Sequence, residues 1–441
     1  MLRRSLIVIS LLMAAPALAE QPKRSVPSYS GLKETSSTRD ALLWIPRVAL
    51  SPLYLVSEFG VRRPLGYLIS EAERAHLPQF LYGLFFFGPD HKAALLPIAF
   101  VDFGFYPSAG LYFFWKDLPR EGDELRIRAA TWGERWLSGS ISQRLRLSAE
   151  TDLVLHATGT RRPDYRYFGV GADSRKQDAT RYGASRYELG ATLSVELGGL
   201  STFSAGAGYR RVHFHRGQGF DDDPRLDDEI ARGTVRAPAG YAEGYSLLYC
   251  RAALALDSRR PRPASQSGVR VELDGELMSR VAPRADASFV RYSTSTAGFW
   301  DIADSGRVLS LSVSMMFVDP LQSGQEVPFT ELAALGGDGR MRGFQPGRLY
   351  GRSSVVASVR YRWPIWIWLD GSIQIAAGNV FDAHLQDFSF DRLRLSGAIG
   401  VESVGAPDSS FELLLGAGTE TFAQGTQISS IRLIAGTNHG F

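Results

Sequence analysis

The stretch Leu335-Gly336-Gly337-Asp338-Gly339-Arg340-Met341-Arg342-Gly343-Phe344 decides how this 441-residue chain is read. It lies between two alternating segments. Upstream, Leu309, Leu311, Val313, Met315 and Phe317 alternate with Ser310, Ser312 and Ser314. Downstream, Val355, Val359, Tyr361 and Trp363 alternate with Ser358, Arg360 and Arg362. Alternation over such lengths predicts strands with one apolar and one polar face. The glycines between them permit a sharply turned backbone. Arg342 adds a permanent planar charge suited to docking on a carboxylate.

The same pattern recurs through the chain. In Gly268 to Met278, Val269, Val271, Leu273 and Leu277 alternate with Arg270, Glu272, Asp274 and Glu276. Tyr187 to Leu197 and Arg392 to Glu402 repeat it. Lipid outside and a wet lumen inside explain such faces. A soluble sandwich also alternates, but its apolar faces need a second sheet. The 45 Gly, 25 Phe, 17 Tyr and 8 Trp suit a barrel. No later segment is apolar for the length of a membrane-spanning helix; the best, Ala93 to Val101, is short and broken by Pro97. Eleven candidate strands precede the glycine-rich loop, from 109–117 to 326–332, and five follow it, from 353–363 to 428–441. The pattern alone also permits fourteen, because 137–159 could be one tall strand and 326–332 only loop.

The N-terminus reads differently. Arg3-Arg4, the apolar run Leu6 to Ala15 and Ala17-Leu18-Ala19 make residues 1–19 a signal peptide. Residues 20–94 form a flexible and helical segment, and 95–441 the barrel. One helix starts near Thr38 and is divided by Pro46 and Pro52; a second runs from Pro64 to about Ala75. Their apolar faces fit either the membrane interface or their own barrel. Phe80 to Phe87 is a very aromatic connector or girdle.

Chemistry of other kinds is sparse. Cys250 is the only cysteine, so it forms no intramolecular disulfide and supplies no zinc cluster. A formal charge of +3 implies no nucleic-acid partner. There is no nucleophile elbow, zinc helix or phosphate loop. His213 and His215 flank one residue, a spacing that is more often inert than metal-binding. The expectation is a protein with no catalytic residues, no metal and no cofactor.

The opening stretch resembles the long sixth loop of the BamA/TamA outer-membrane superfamily, which includes the two-partner-secretion transporters. The match is Gly336 and Gly337, then Met341, Arg342, Gly343 and Phe344. Tyr167 to Ser174 is similar to an aromatic-Phe-Gly-x-Gly-x-x-Ser element of that superfamily, and Asp257-Ser258-Arg259 to the turn before a middle strand. The resemblance implies an all-β, transmembrane antiparallel β-barrel of sixteen strands in a Gram-negative outer membrane, with a short N-terminal helical segment. The sixth loop would join strands 11 and 12 and fold back into the lumen. The final strand, ending in Phe441, resembles the signal by which the outer-membrane assembly machinery would insert the chain itself.

Two departures matter. The family's loop arginine meets an Asp in a Phe-x-Asp-x-Gly strand; here the stretch is Gln374 to Gly378 and Ala376 replaces the Asp. Alternation puts Glu402 and Glu412 on polar faces, so either could receive Arg342, while Arg340 and Arg348 are expected to be solvated. Residues 20–94 have room for at most one POTRA domain and do not look like one, so the chain resembles a POTRA-less branch. The resemblance implies insertion or translocation of proteins or lipids through a weak seam between the first strand, about Ala109 to Trp115, and the last, Ile428 to Phe441. Client proteins, membrane lipid or a second copy would be its partners. A passive or gated pore and a lipid-modifying enzyme are the competing readings. Conductance after loss of 336–348 would single out the pore, and phospholipid turnover the enzyme.

Overall fold

Alternation resolves into a closed, antiparallel meander. The computed structural model describes residues 63, 67, 71, 74–260, 266–283, 287–366, 369–404 and 410–438. Before the long loop run β1 (Ala93–Asp102), β2 (Ser108–Lys116), β3 (Glu124–Thr131), β4 (Leu137–Arg146), β5 (Thr151–Tyr167) and β6 (Thr180–Gly198). These are followed by β7 (Ser201–Arg216), β8 (Tyr245–Asp257), β9 (Gly268–Ala282), β10 (Ser288–Asp301) and β11 (Val308–Pro320). After the loop come β12 (Ser353–Trp366), β13 (Leu369–Phe381), β14 (Arg394–Ser403), β15 (Ser410–Thr419) and β16 (Ile428–Asn438). Each strand pairs with its neighbours in chain order, and β16 returns to β1. Loop 6, residues 321–352, joins β11 to β12. Helix α1 (Leu77–Phe85) precedes β1, and α2 (Leu226–Arg232) lies between β7 and β8. The signal peptide, the helix near Thr38, most of the helix from Pro64 and Phe441 fall outside the described residues.

The faces are those of a membrane barrel. On β9, Val269, Leu273 and Leu277 are about half exposed, while Met278 on the other face is buried. Leu111, Ile141, Leu189, Leu311, Ile375 and Ile431 are exposed in the same way on other strands. So many large apolar side chains facing outward form a lipid-facing belt. Ion pairs fill the inside: Arg210 on β7 meets Glu188, Glu276 and Glu331. Among the described residues no helix is long and apolar enough to cross a membrane.

The count of sixteen holds, but its membership differs from the sequence reading in two places. Residues 93–102 are the first strand, and 326–332 is not a strand: Phe329–Glu331 is a 3₁₀ turn inside loop 6. The first strand was hidden because both its faces are apolar. Leu95 and Val101 face outward, whereas Ala94, Leu96 and Ile98 pack in one cluster with Leu81 of α1, Phe86, Tyr112 and Ala130. A helix covering the inner face removes the need for polar residues there, so the period of two disappears.

The seam is correspondingly one strand earlier than 109–115. Among the described residues it joins β16 to β1 through Ile434–Asp102, Ala435–Val101 and Gly436–Phe100. By contrast, β10 and β11 pair without a break from Phe289–Pro320 to Asp301–Val308. The β2 side of β1 is paired from Ala93–Trp115 to Phe100–Ser108. A two-residue strand, Phe86–Phe87, pairs with Ala94 and Ala93 on the opposite, seam-side edge. Between this cap and β16, Leu95 to Ala99 has no cross-strand partner on that edge among the described residues. Pro97 lies in the middle of that gap, where a residue without an N–H is tolerated.

Candidate functional site

Loop 6 turns back as a hairpin. Ala333–Leu335 pairs with Leu349–Gly351, which brings the two ends of the 336–348 tip together. Gly336 and Gly337 have φ of +111° and +73°, conformations that side-chain-bearing residues rarely adopt. The Gly337 N–H donates to the Phe344 carbonyl at 2.9 Å, closing the tip. Leu335, Met341, Phe344 and Leu349 are buried with Val356 of β12 and Ala376 and Val380 of β13. Ala376 is therefore part of an apolar seat for Met341 and Phe344, at the position where the family pattern has an Asp.

The loop backbone lies directly against β15. The Gly343 N–H donates to Ser396 Oγ on β14 at 2.9 Å. A Cβ at Gly343 would collide with the Ala417 carbonyl oxygen, and one at Gly418 with the Phe344 ring. The glycine between Arg342 and Phe344 is thus required by close backbone approach.

Arg342 is 8% exposed, and its guanidinium pairs with Glu412 on β15. Glu402 pairs with Arg360 on β12 instead. Glu402 and Glu412 face each other across the β14–β15 ladder. Like charges so placed repel, and each is matched by its own arginine.

Arg348 is not solvated. It is 2% exposed, donates to Ser174 Oγ at 3.0 Å and Glu420 Oε2 at 3.0 Å, and lies 4.8 Å from the centre of the Phe168 ring. Arg394, fully buried, shares Glu420 and donates to the Ala172 and Ser174 carbonyls. The Gly171 N–H donates to the Tyr350 carbonyl at 2.8 Å. The Tyr167–Ser174 stretch thus sits on loop 6. Arg340 is half-buried, and its carbonyl accepts from Gln374.

Glu331 was missed by sequence reasoning altogether. It is buried, accepts from Arg210 Nη1 and the Tyr245 hydroxyl, both at 2.8 Å, and anchors the first part of the loop. A pattern-based strand at 326–332 concealed it, and its partners lie more than eighty residues away. Among the described residues, no group of three or more His, Cys, Asp or Glu could hold a metal ion. Cys250 is exposed on β8.

A lipid-belted barrel whose longest loop is bolted into its lumen defines a class: outer-membrane barrels with an inward-folded sixth loop. Residues 125–413 match the Omp85 superfamily domain, and the chain belongs to that superfamily. It lies in the outer membrane of a Gram-negative bacterium. Among solved structures, it is similar to BamA from Haemophilus ducreyi lacking POTRA domains 1–3, at 14% identity and a TM-score of 0.55, covering 79% of this chain and 70% of that one. It is also similar to CdiB from Acinetobacter baumannii, at 11% identity and a TM-score of 0.48, covering 79% and 60%. No curated protein matches the chain.

Proposed function

We propose that this protein assists the insertion or translocation of proteins or lipids at the outer membrane by opening the seam between β1 and β16. The observation that carries this reading is the seam itself. Among the described residues it has three cross-strand pairs, next to a stretch of β1 edge centred on Pro97 that has no strand partner. An unpaired edge accepts another strand by main-chain hydrogen bonding. Loop 6, through Gly336, Gly337, Met341, Arg342, Gly343 and Phe344, is the latch that holds the lumen side in place, with Glu412 its wall partner. Client proteins, outer-membrane lipid and a second copy are the candidate partners. The assembly machinery would act on Phe441 when the chain is itself inserted. In this reading the chain acts without a catalytic residue, cofactor or nucleic acid.

The test is a quantitative comparison of outer-membrane protein and lipid content with and without this protein. Loss of a defined set of proteins, or a shift in outer-leaflet lipid, supports the reading. Unchanged membranes, together with solute conductance that rises on removal of 336–348, would replace it with a gated pore.

A further inference from the structure

Loop 6 and the seam meet at one buried arginine. Arg432 of β16 is 1% exposed. Its Nε donates to both carboxylate oxygens of Asp102, the last residue of β1, at 3.2 Å, and its Nη2 donates to Asp102 Oδ2 at 2.8 Å. The same Nη2 donates to Asp338 Oδ1 at 2.9 Å. Asp338 belongs to the loop 6 tip, beside Gly337. Arg432 Nη1 is buried with no hydrogen-bond partner, so the guanidinium depends on these two carboxylates.

A second link runs alongside. Loop 6 Gln345 Nε2 donates to the Phe103 carbonyl at 2.8 Å. The Phe103 N–H donates to the Leu433 carbonyl of β16 at 2.9 Å. The residue after β1 is therefore bonded to the loop and to the last strand at once. Arg432 is also the cross-strand partner of Gly416, whose position is in contact distance of Gly343 in the loop.

We infer that Arg432 is a positioning residue that couples the seating of loop 6 to closure of the seam, with Asp102 and Asp338 as its two arms. The inference rests on the reading that the seam opens in function. Where the ladder has three pairs among the described residues, a side-chain junction is a large part of what holds it. Withdrawing the loop takes Asp338 from Arg432 and leaves the guanidinium with Asp102 alone. Opening the seam takes Arg432 from Asp102 and leaves a buried carboxylate without its charge partner, which is unfavourable. Hydrogen-bonded charges sharing one group are not independent. A seated loop and a closed seam therefore stabilise each other.

The test uses the full chain in vesicles of phospholipid, with Cys250→Ser and a reporter pair, Val101→Cys and Ala435→Cys, which face each other across the seam. Disulfide formation reads seam closure, and cutting by added protease reads loop 6. Asp338→Asn touches only the loop arm, and its side chain is half exposed, so the barrel still folds. It is expected to slow cross-linking of the seam by about two- to five-fold, the size of one partly exposed ion pair. Asp102→Asn touches only the seam arm and is expected to raise loop cutting by a similar factor. Arg432→Lys, which keeps the charge and loses the fork, is expected to impair both. If Asp338→Asn alters only loop cutting and Asp102→Asn only cross-linking, the coupling is refuted. If both cross-effects appear but the cross-linked chain still restores outer-membrane content, the coupling stands and the seam-opening reading fails.

Discussion

Arg342 and Arg348 hold the loop tip from separate carboxylates, Glu412 and Glu420. Arg342→Ala is expected to loosen the loop by about 1.5–3 kcal/mol, read as increased protease cutting of 336–348. Glu412→Gln should do the same and Glu402→Gln should not, because Glu402 serves Arg360. Lysine at 342 should rescue poorly. Arg348→Ala should be no milder than Arg342→Ala, given its burial; a mild effect would show that the Ser174 and Glu420 contacts contribute little. Gly343→Ala should unseat the tip outright, since the collision is with rigid backbone of β15. Glu420 adds a pH dependence. Burial pushes its carboxyl up, but the Lys176 N–H and the Arg394 and Arg348 guanidinium groups hold it below the usual carboxylate range. A depressed folded pKa gives stability that is complete above the unfolded value and lost as pH falls through the folded one. Loop cutting by an acid-stable protease should therefore be flat above the ordinary glutamate range, begin to rise as pH falls through that range, and level off only below the depressed folded value. Cutting that stays unchanged as pH falls through and below the ordinary glutamate range would contradict the assignment.

At the scale of elements, what could be read from the sequence was what alternates. The strands from β2 to β11 and from β12 to β16 carry a lipid face and a wet face, and their residues show it. The signature glycines were legible too, because tight turns and close approach select glycine. β1 was not, because α1 and Phe86 cover its inner face with Leu81 and aromatic rings. The Arg348–Glu420 and Arg210–Glu331 pairs were not, because their partners meet only after closure brings distant strands together. The cover on β1 leads to a further expectation. A chain lacking residues 77–87 retains all sixteen strands, so it should still close and migrate as a folded barrel in SDS before boiling. It should convert to the unfolded band at a lower temperature, having lost the cap on Ala93–Ala94 and the apolar cover of Leu96. An unchanged conversion temperature would make α1 and Phe86–Phe87 bystanders.

For the whole molecule, fifteen longer ladders and one seam of three pairs among the described residues give the barrel a continuous wall with one weakly paired joint. Loop 6 ties the wall at β12 to β15 to the seam through Arg432 and Phe103. On the proposed reading the barrel opens at this joint, and the outer-membrane setting gives that opening a lipid phase to face. The most direct test joins Val101→Cys to Ala435→Cys in the Cys250→Ser background and measures outer-membrane protein and lipid content under oxidising and reducing conditions. The account predicts that the disulfide-closed chain behaves as if the protein were absent, and that reduction restores the membrane. Full restoration by the chain while its seam stays cross-linked would contradict it.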